Sequence, residues 1–195
     1  MKTRILIFLP LVLLVFAFYV VTPTMAQAQA SSPPAKDYFP DKWDEYSSKA
    51  GKFRIRFPKQ PQESVSMEGL EVHSLESKGL INYRVSSVDN TTSIDDPQKV
   101  KGLLQGLKTS ALNSLKDTGV RVVAERQVTV DRHNGIFVHI EVGGIEVLRV
   151  EWVVAGSRLY TIIASSGKGS PEELEGKNDF EKVAMGFINS FHVVP

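Results

Sequence analysis

The chain predicts an α+β fold, an antiparallel β-sheet flanked by helices on both faces, and three observations predict it. Between Val120 and Ser165, apolar strand-like runs are separated by Asn134-Gly135, Gly143-Gly144 and Gly156-Ser157, dipeptides suited to tight hairpins. Two stretches, Val100 to Leu115 and Phe180 to Phe191, carry apolar residues at helical spacing. The strands themselves are apolar on both faces, so the sheet needs a covering layer on each side.

The N-terminal segment predicts an address. Lys2 and Arg4 precede a nearly unbroken apolar run from Ile5 to Val21, and Ala26-Gln27-Ala28-Gln29-Ala30 follows with two overlapping A-x-A sites. These are the three parts of a secretory signal peptide, assigned to residues 1–30 with cleavage after Ala28 or Ala30. The alternative, a permanent anchor, fits less well. Residues 5–21 span roughly 25 Å as a helix, short of a ~30 Å hydrocarbon core, and Pro10 interrupts them. The expected product is an exported protein, periplasmic or secreted, with no stable membrane insertion after cleavage.

Removing the leader takes Lys2 and Arg4, so 23 basic residues become 21 against 22 acidic, a formal charge of −1. That balance gives no electrostatic reason to expect nucleic acid as a partner. The chain contains no cysteine, which excludes disulfides, thiolate metal sites, thiol catalysis and an acylated-cysteine anchor. Residues 31–40, rich in proline and small residues, read as a flexible linker to a single domain over residues 41–195.

Within the domain, Phe53, Ile55 and Phe57 alternate with Lys52, Arg54 and Arg56, a strand with one dry and one basic face, ended by Pro58 and Pro61. Glu63–Met67 and Leu70–Ser77 flank the turn-like Glu68-Gly69, and Leu80–Val88 is a third strand. Asp95-Asp96-Pro97 is a helix start, after which Val100, Leu103, Leu104, Leu107, Ala111 and Leu115 form one apolar face up to Gly119. The meander follows. With Gly143 and Gly144 as a two-residue turn, Val142 pairs with Ile145 and Glu141 with Glu146. Phe137 then shares a face with Leu148, Val150, Trp152 and Val154. Ser170-Pro171-Glu172-Glu173 matches a capping box, Gly176 interrupts, and Asp179 restarts a helix with the stripe Phe180, Val183, Ala184, Phe187, Ile188 and Phe191.

The opening Trp43-x-x-Tyr46 followed by Gly51-x-Phe53-x-Ile55-x-Phe57-Pro58-x-x-Pro61 resembles that of PsbP-like domains. Arg158-Leu159-Tyr160-Thr161-Ile162-Ile163-Ala164, a helix and Ser190-Phe191 resemble the family's close. The resemblance implies a PsbP-like α/β/α sandwich and a non-catalytic role. The family includes extrinsic subunits of the photosynthetic oxygen-evolving complex, a Ran-binding import factor and many exported bacterial proteins of unassigned function. No functional motif of the family maps onto residues of this chain.

Three sets of residues are candidates for function. His139 and Glu141 share a strand face, and Glu146 opposite Glu141 would complete one imidazole and two carboxylates, a donor set for zinc or manganese. The simpler alternative is two glutamates splayed into water at a hairpin tip. Lys168, Gly169 and Ser170 before a helix suggest an anion site, although the P-loop pattern fails, with Ile162 where its first glycine belongs and Gly169 where Ser or Thr belongs. A flexible connection explains the same residues. Trp43 and Tyr46 are the first candidates for a partner surface. His73, His133 and His192 read as solvated or peripheral. No nucleophile elbow is present, and no cofactor is expected.

Together these readings predict a non-enzymatic exported binding or assembly module with a protein partner in the cell envelope. A metal-binding accessory protein and a small hydrolase whose triad is hidden from sequence are the alternatives.

Overall fold

The computed structural model describes residues 43–58, 60–67, 70–77, 81–89, 93–143, 146–166 and 177–195. The leader, the linker and the Lys168-Gly169-Ser170 loop lie outside the described residues, as does the Ser170–Glu173 capping box.

The strands are β1 (Asp44–Ser48), β2 (Phe53–Phe57), β3 (Gln62–Met67), β4 (Leu70–Ser77), β5 (Ile81–Asp89), β6 (Val120–Val130), β7 (His133–Val142), β8 (Glu146–Ala155), β9 (Arg158–Ser166) and β10 (His192–Val193). Helix α1 covers Pro97–Ser114 and helix α2 Lys177–Asn189. Among the described residues, seven strands form one antiparallel sheet in the order β3-β4-β5-β9-β8-β7-β6. The other three form a small antiparallel sheet, β1-β2-β10.

Helix α1 forms where its sequence asks for it. Asp96 accepts a hydrogen bond from the Gln98 amide at 2.9 Å, and Pro97 takes a first-turn position. Its buried stripe, Val100, Leu104, Leu107 and Ala111, packs on Ile136, Val138, Ile140, Val150 and Trp152 of the sheet. The opposite face is covered by α2 and the small sheet together: Phe180, Val183, Phe187 and Phe53, Ile55, Phe57 meet Phe137, Tyr160 and Ile162. The expected α+β sandwich is therefore the one found, with the second layer shared between a helix and three strands.

The β7–β8 register differs from the expected one by a single residue. Val142 pairs with Glu146 and Glu141 with Val147, so three residues rather than two make the connection. A one-residue slip exchanges the faces. Leu148, Val150, Trp152 and Val154 accordingly join Ile136, Val138 and Ile140 beneath α1, leaving Phe137 on the α2 side. The actual pairing unites the apolar residues of both strands on the face that the apolar stripe of α1 covers.

The preceding turn also moves. Asp131 and Arg132, not Asn134-Gly135, connect β6 to β7, with φ of 46° and 72°. Positive φ at both residues is what a two-residue hairpin turn demands. A turn at Asn134-Gly135 would oppose Val142 with Gln127 and leave residues 120–126 without a partner on β7. Gly135 instead lies in β7, where a Cβ would stand 2.6 Å from the Trp152 carbonyl oxygen. Close strand approach, not a turn, requires that glycine.

Candidate functional site

The meander builds a cross-strand row on the face toward α2. Arg126 of β6 pairs with Phe137 of β7, Phe137 with Glu151 of β8, and Glu151 with Ile162 of β9. The Arg126 guanidinium lies 4.6 Å from the Phe137 ring centroid, a cation–π contact. Glu151 is only 4% exposed. Burial pushes its carboxyl up to about 7, partly opposed by the Arg126 charge. A carboxyl with that proton affinity in a cleft is a functional-site signal.

The cleft above this row has a volume of about 480 Å³. One wall is the consecutive run Arg126 to Asp131, the other is Ile188, Asn189, Phe191 and His192 at the end of α2. Asp131 ties the walls together. Its carboxylate lies 3.2 Å from His192 Nδ1 and accepts a hydrogen bond from the Val193 amide at 2.9 Å. The left-handed backbone at Asp131 thus places the carboxylate that holds the C-terminal strand.

Further along the same face, buried Arg149 donates from Nε to Glu181 of α2 at 2.9 Å, and its guanidinium lies 5.5 Å from the Phe180 ring centroid. At the far end of the sheet, Arg158 pairs with Asp89 and donates to the Ala50 carbonyl at 3.0 Å. Tyr160 donates to the Lys52 carbonyl at 3.0 Å, and burial raises its phenol above the ordinary range. These contacts fasten the small sheet to the large one.

The structure redistributes the sequence candidates. His139 pairs with Arg149 and shares its face with Glu141, as alternation predicts. Glu141, however, is ion-paired with Arg121 across the hairpin. Glu146 stands opposite Val142, a register position on the other face from Glu141, so the opposed carboxylates of the expected metal set do not form. Among the described residues no three His, Asp or Glu side chains gather as a metal site.

Trp43 is not a surface residue. It is 8% exposed and packs edge-on against Tyr83 at 5.2 Å and Phe187 at 6.3 Å. Tyr46 is half-buried against the same core. The aromatic opening of the domain belongs to the interior because β1 and β2 lie beside α2 in the layer that covers the main sheet. Lys52, Arg54 and Arg56 are exposed, with Arg54 3.8 Å from Glu45.

Sequence reasoning missed Arg126, Asp131, Glu151 and His192 as a group. One signal was legible: Arg149 and Glu151 are charged residues at alternate positions of an otherwise apolar strand. His192 gave none, since its partner lies 61 residues away in the chain.

No protein-family model matches the chain, and no curated protein matches its sequence. Among solved structures it is similar to the solution structure of cyanobacterial PsbP from Synechocystis sp. PCC 6803, with a TM-score of 0.56 and 11% identity over 88% of this chain and 99% of that one. A crystal structure from Bacteroides thetaiotaomicron VPI-5482 aligns with a TM-score of 0.40 and 12% identity, covering 79% of this chain and 49% of the other. A protein of unknown function from Pseudomonas aeruginosa aligns at 0.41 and 12%, covering 74% and 94%. Among the described residues no helix is long and apolar enough to cross a membrane. By its antiparallel sheet covered on both faces and its likeness to cyanobacterial PsbP, the chain has the PsbP-like fold.

Proposed function

We propose that this chain is an exported, non-catalytic binding module of PsbP-like fold that engages a protein of the cell envelope at the cleft beside β6. The observation that carries the reading is the cleft itself, about 480 Å³ bounded by the terminal strand of the sheet and the end of α2. Recessed polar groups among apolar walls are how binding sites fix orientation. The export half of the reading rests on the basic, apolar and small-residue parts of residues 1–30. The partner surface moves from Trp43 and Tyr46, which pack into the core, to this cleft.

A photo-crosslinking residue placed at Gln127 in the full chain, expressed in its native cell, tests both halves. The expected result is an adduct with an envelope protein and a mature N-terminus following Ala28 or Ala30. An unprocessed cytoplasmic product would overturn export. Adducts no different from those of a control crosslinker at Lys101, on the far layer, would overturn the binding site.

A further inference from the structure

We propose that the edge of β6 from Ala124 to Val130, with which no described strand pairs, takes an extended segment of a partner protein as an added strand, with an acidic side chain of that segment seated against Arg126. This rests on the binding-module reading and specifies the mode and chemistry of what binds.

β6 is the terminal strand of the large sheet and, at 11 residues, the longest of the described strands. Such an edge presents unpaired amides and carbonyls, and proteins usually blunt it with bulges, proline or outward charges. Here those devices are displaced or engaged with neighbouring side chains. The bulge lies between Val122 and Ala124, upstream of the segment concerned. Arg121 is paired with Glu141, and Glu125 with Lys108 of α1 at 2.9 Å. Arg126 stacks its guanidinium over the Phe137 ring at 4.6 Å. From Ala124 to Val130 the register against β7 is unbroken, no proline intervenes, and most of this stretch lines the cleft. Just upstream, Val122 and Val123 are each 40% exposed, the exposed large hydrophobics of the described residues.

Charge complementarity selects the occupant. Arg126 has no carboxylate within ion-pairing distance among the described residues. Burial raises the Glu151 carboxyl in its row to about 7, so it is mostly neutral in mildly acidic solution and only partly charged at neutral pH. Of the other charged or titratable groups about Glu151, Asp131 is engaged with His192 and Val193 and Arg149 with Glu181, while His139 stands on the same face opposite Arg149. Among the described residues the cleft therefore presents Arg126 without an ion-paired carboxylate. Val128 and Val130 share the face of Arg126 and pack against the apolar core. An antiparallel strand opposite Val130, Val128 and Arg126 in turn fits the pattern apolar-x-apolar-x-acid.

The test uses the mature chain, isotopically labelled, and the peptide acetyl-Val-Thr-Val-Thr-Glu-Thr-Val-amide, with a second peptide carrying Lys in place of Glu. Amide shifts and slowed exchange should gather on residues 124–130, and the Glu peptide should bind about tenfold more tightly than the Lys peptide. R126E should invert that preference and R126Q should erase it, each in a chain whose remaining amide spectrum is unchanged. Equal affinities, no binding, or shifts centred away from β6 would overturn the proposal. So would light scattering showing that β6 pairs with a second copy which the peptide cannot displace. A specific native adduct at Gln127 without peptide binding along β6 would leave the binding-module reading intact and remove this one. Peptide binding at β6 with no native adduct at Gln127 would keep the edge site and remove that reading.

Discussion

Replacing Glu151 by glutamine keeps the shape of the side chain and removes its titration. The native carboxyl is buried at 4% exposure and holds its proton until about pH 7, against 4.5 for the free group. Between those values the native state binds more protons than the unfolded chain, so stability falls as pH rises. The contribution is fully present below about 4.5, where both states are protonated, and lost once pH passes about 7. Each tenfold change in an acid equilibrium is about 1.4 kcal/mol, so the wild-type protein should lose roughly 3 kcal/mol across this window. Urea unfolding at a series of pH values, compared between wild type and Glu151→Gln, isolates the effect because all other titrating groups are common to both. The expected result is near-equal midpoints at the acid end and a more stable glutamine variant at the alkaline end, with unchanged denaturant slopes. Parallel curves over the whole range would refute the assignment of a buried, proton-holding carboxyl.

Three further outcomes follow from the geometry. Gly135→Val places a side chain 2.6 Å from the Trp152 carbonyl oxygen and should destabilise the fold by at least ~2 kcal/mol, read as a fall in Tm. Arg132→Gly relieves a left-handed residue at φ 72° and should raise stability by about 0.5–1 kcal/mol in chemical denaturation. Asp131→Ala removes the acceptor for the Val193 amide and for His192. It should cost ~1–3 kcal/mol and speed amide exchange at residues 192–194, whereas unchanged exchange there would mean that Asp131 does not hold the C-terminal strand.

Elements with a strong local signal were legible. The Asp96-Pro97 start and the Val100 to Leu115 stripe marked α1, and the Phe180 to Phe191 stripe marked α2, because an amphipathic face repeats every few residues. Gly156-Ser157 was read correctly as a turn, with Gly156 at φ 60°. The other two turns were misplaced because dipeptide preference competes with ladder length and face matching. Asp131 and Arg132 accept a left-handed backbone so that all of β6 finds a partner, and the β7–β8 connection takes one more residue so that the apolar faces agree. The metal reading depended on that single residue of register. The partner-surface reading depended on exposure, which Trp43 lacks. Neither register nor exposure is a local property.

By itself the sequence determined that the domain is disulfide-free, that its sheet must be covered on both faces and that two amphipathic helices are available as covers. Periodicity is written into neighbouring residues, so these statements survive without a structure. Tertiary structure alone decided that β1, β2 and β10 share the second layer with α2. It also decided that Glu151 is buried in the row of Arg126 and Phe137 and that the end of α2 closes a cleft against β6. The reason is physical: a carboxyl's proton affinity and an arginine's unmatched charge depend on what packs around them. Here those neighbours come from segments as far apart as Arg126 and His192.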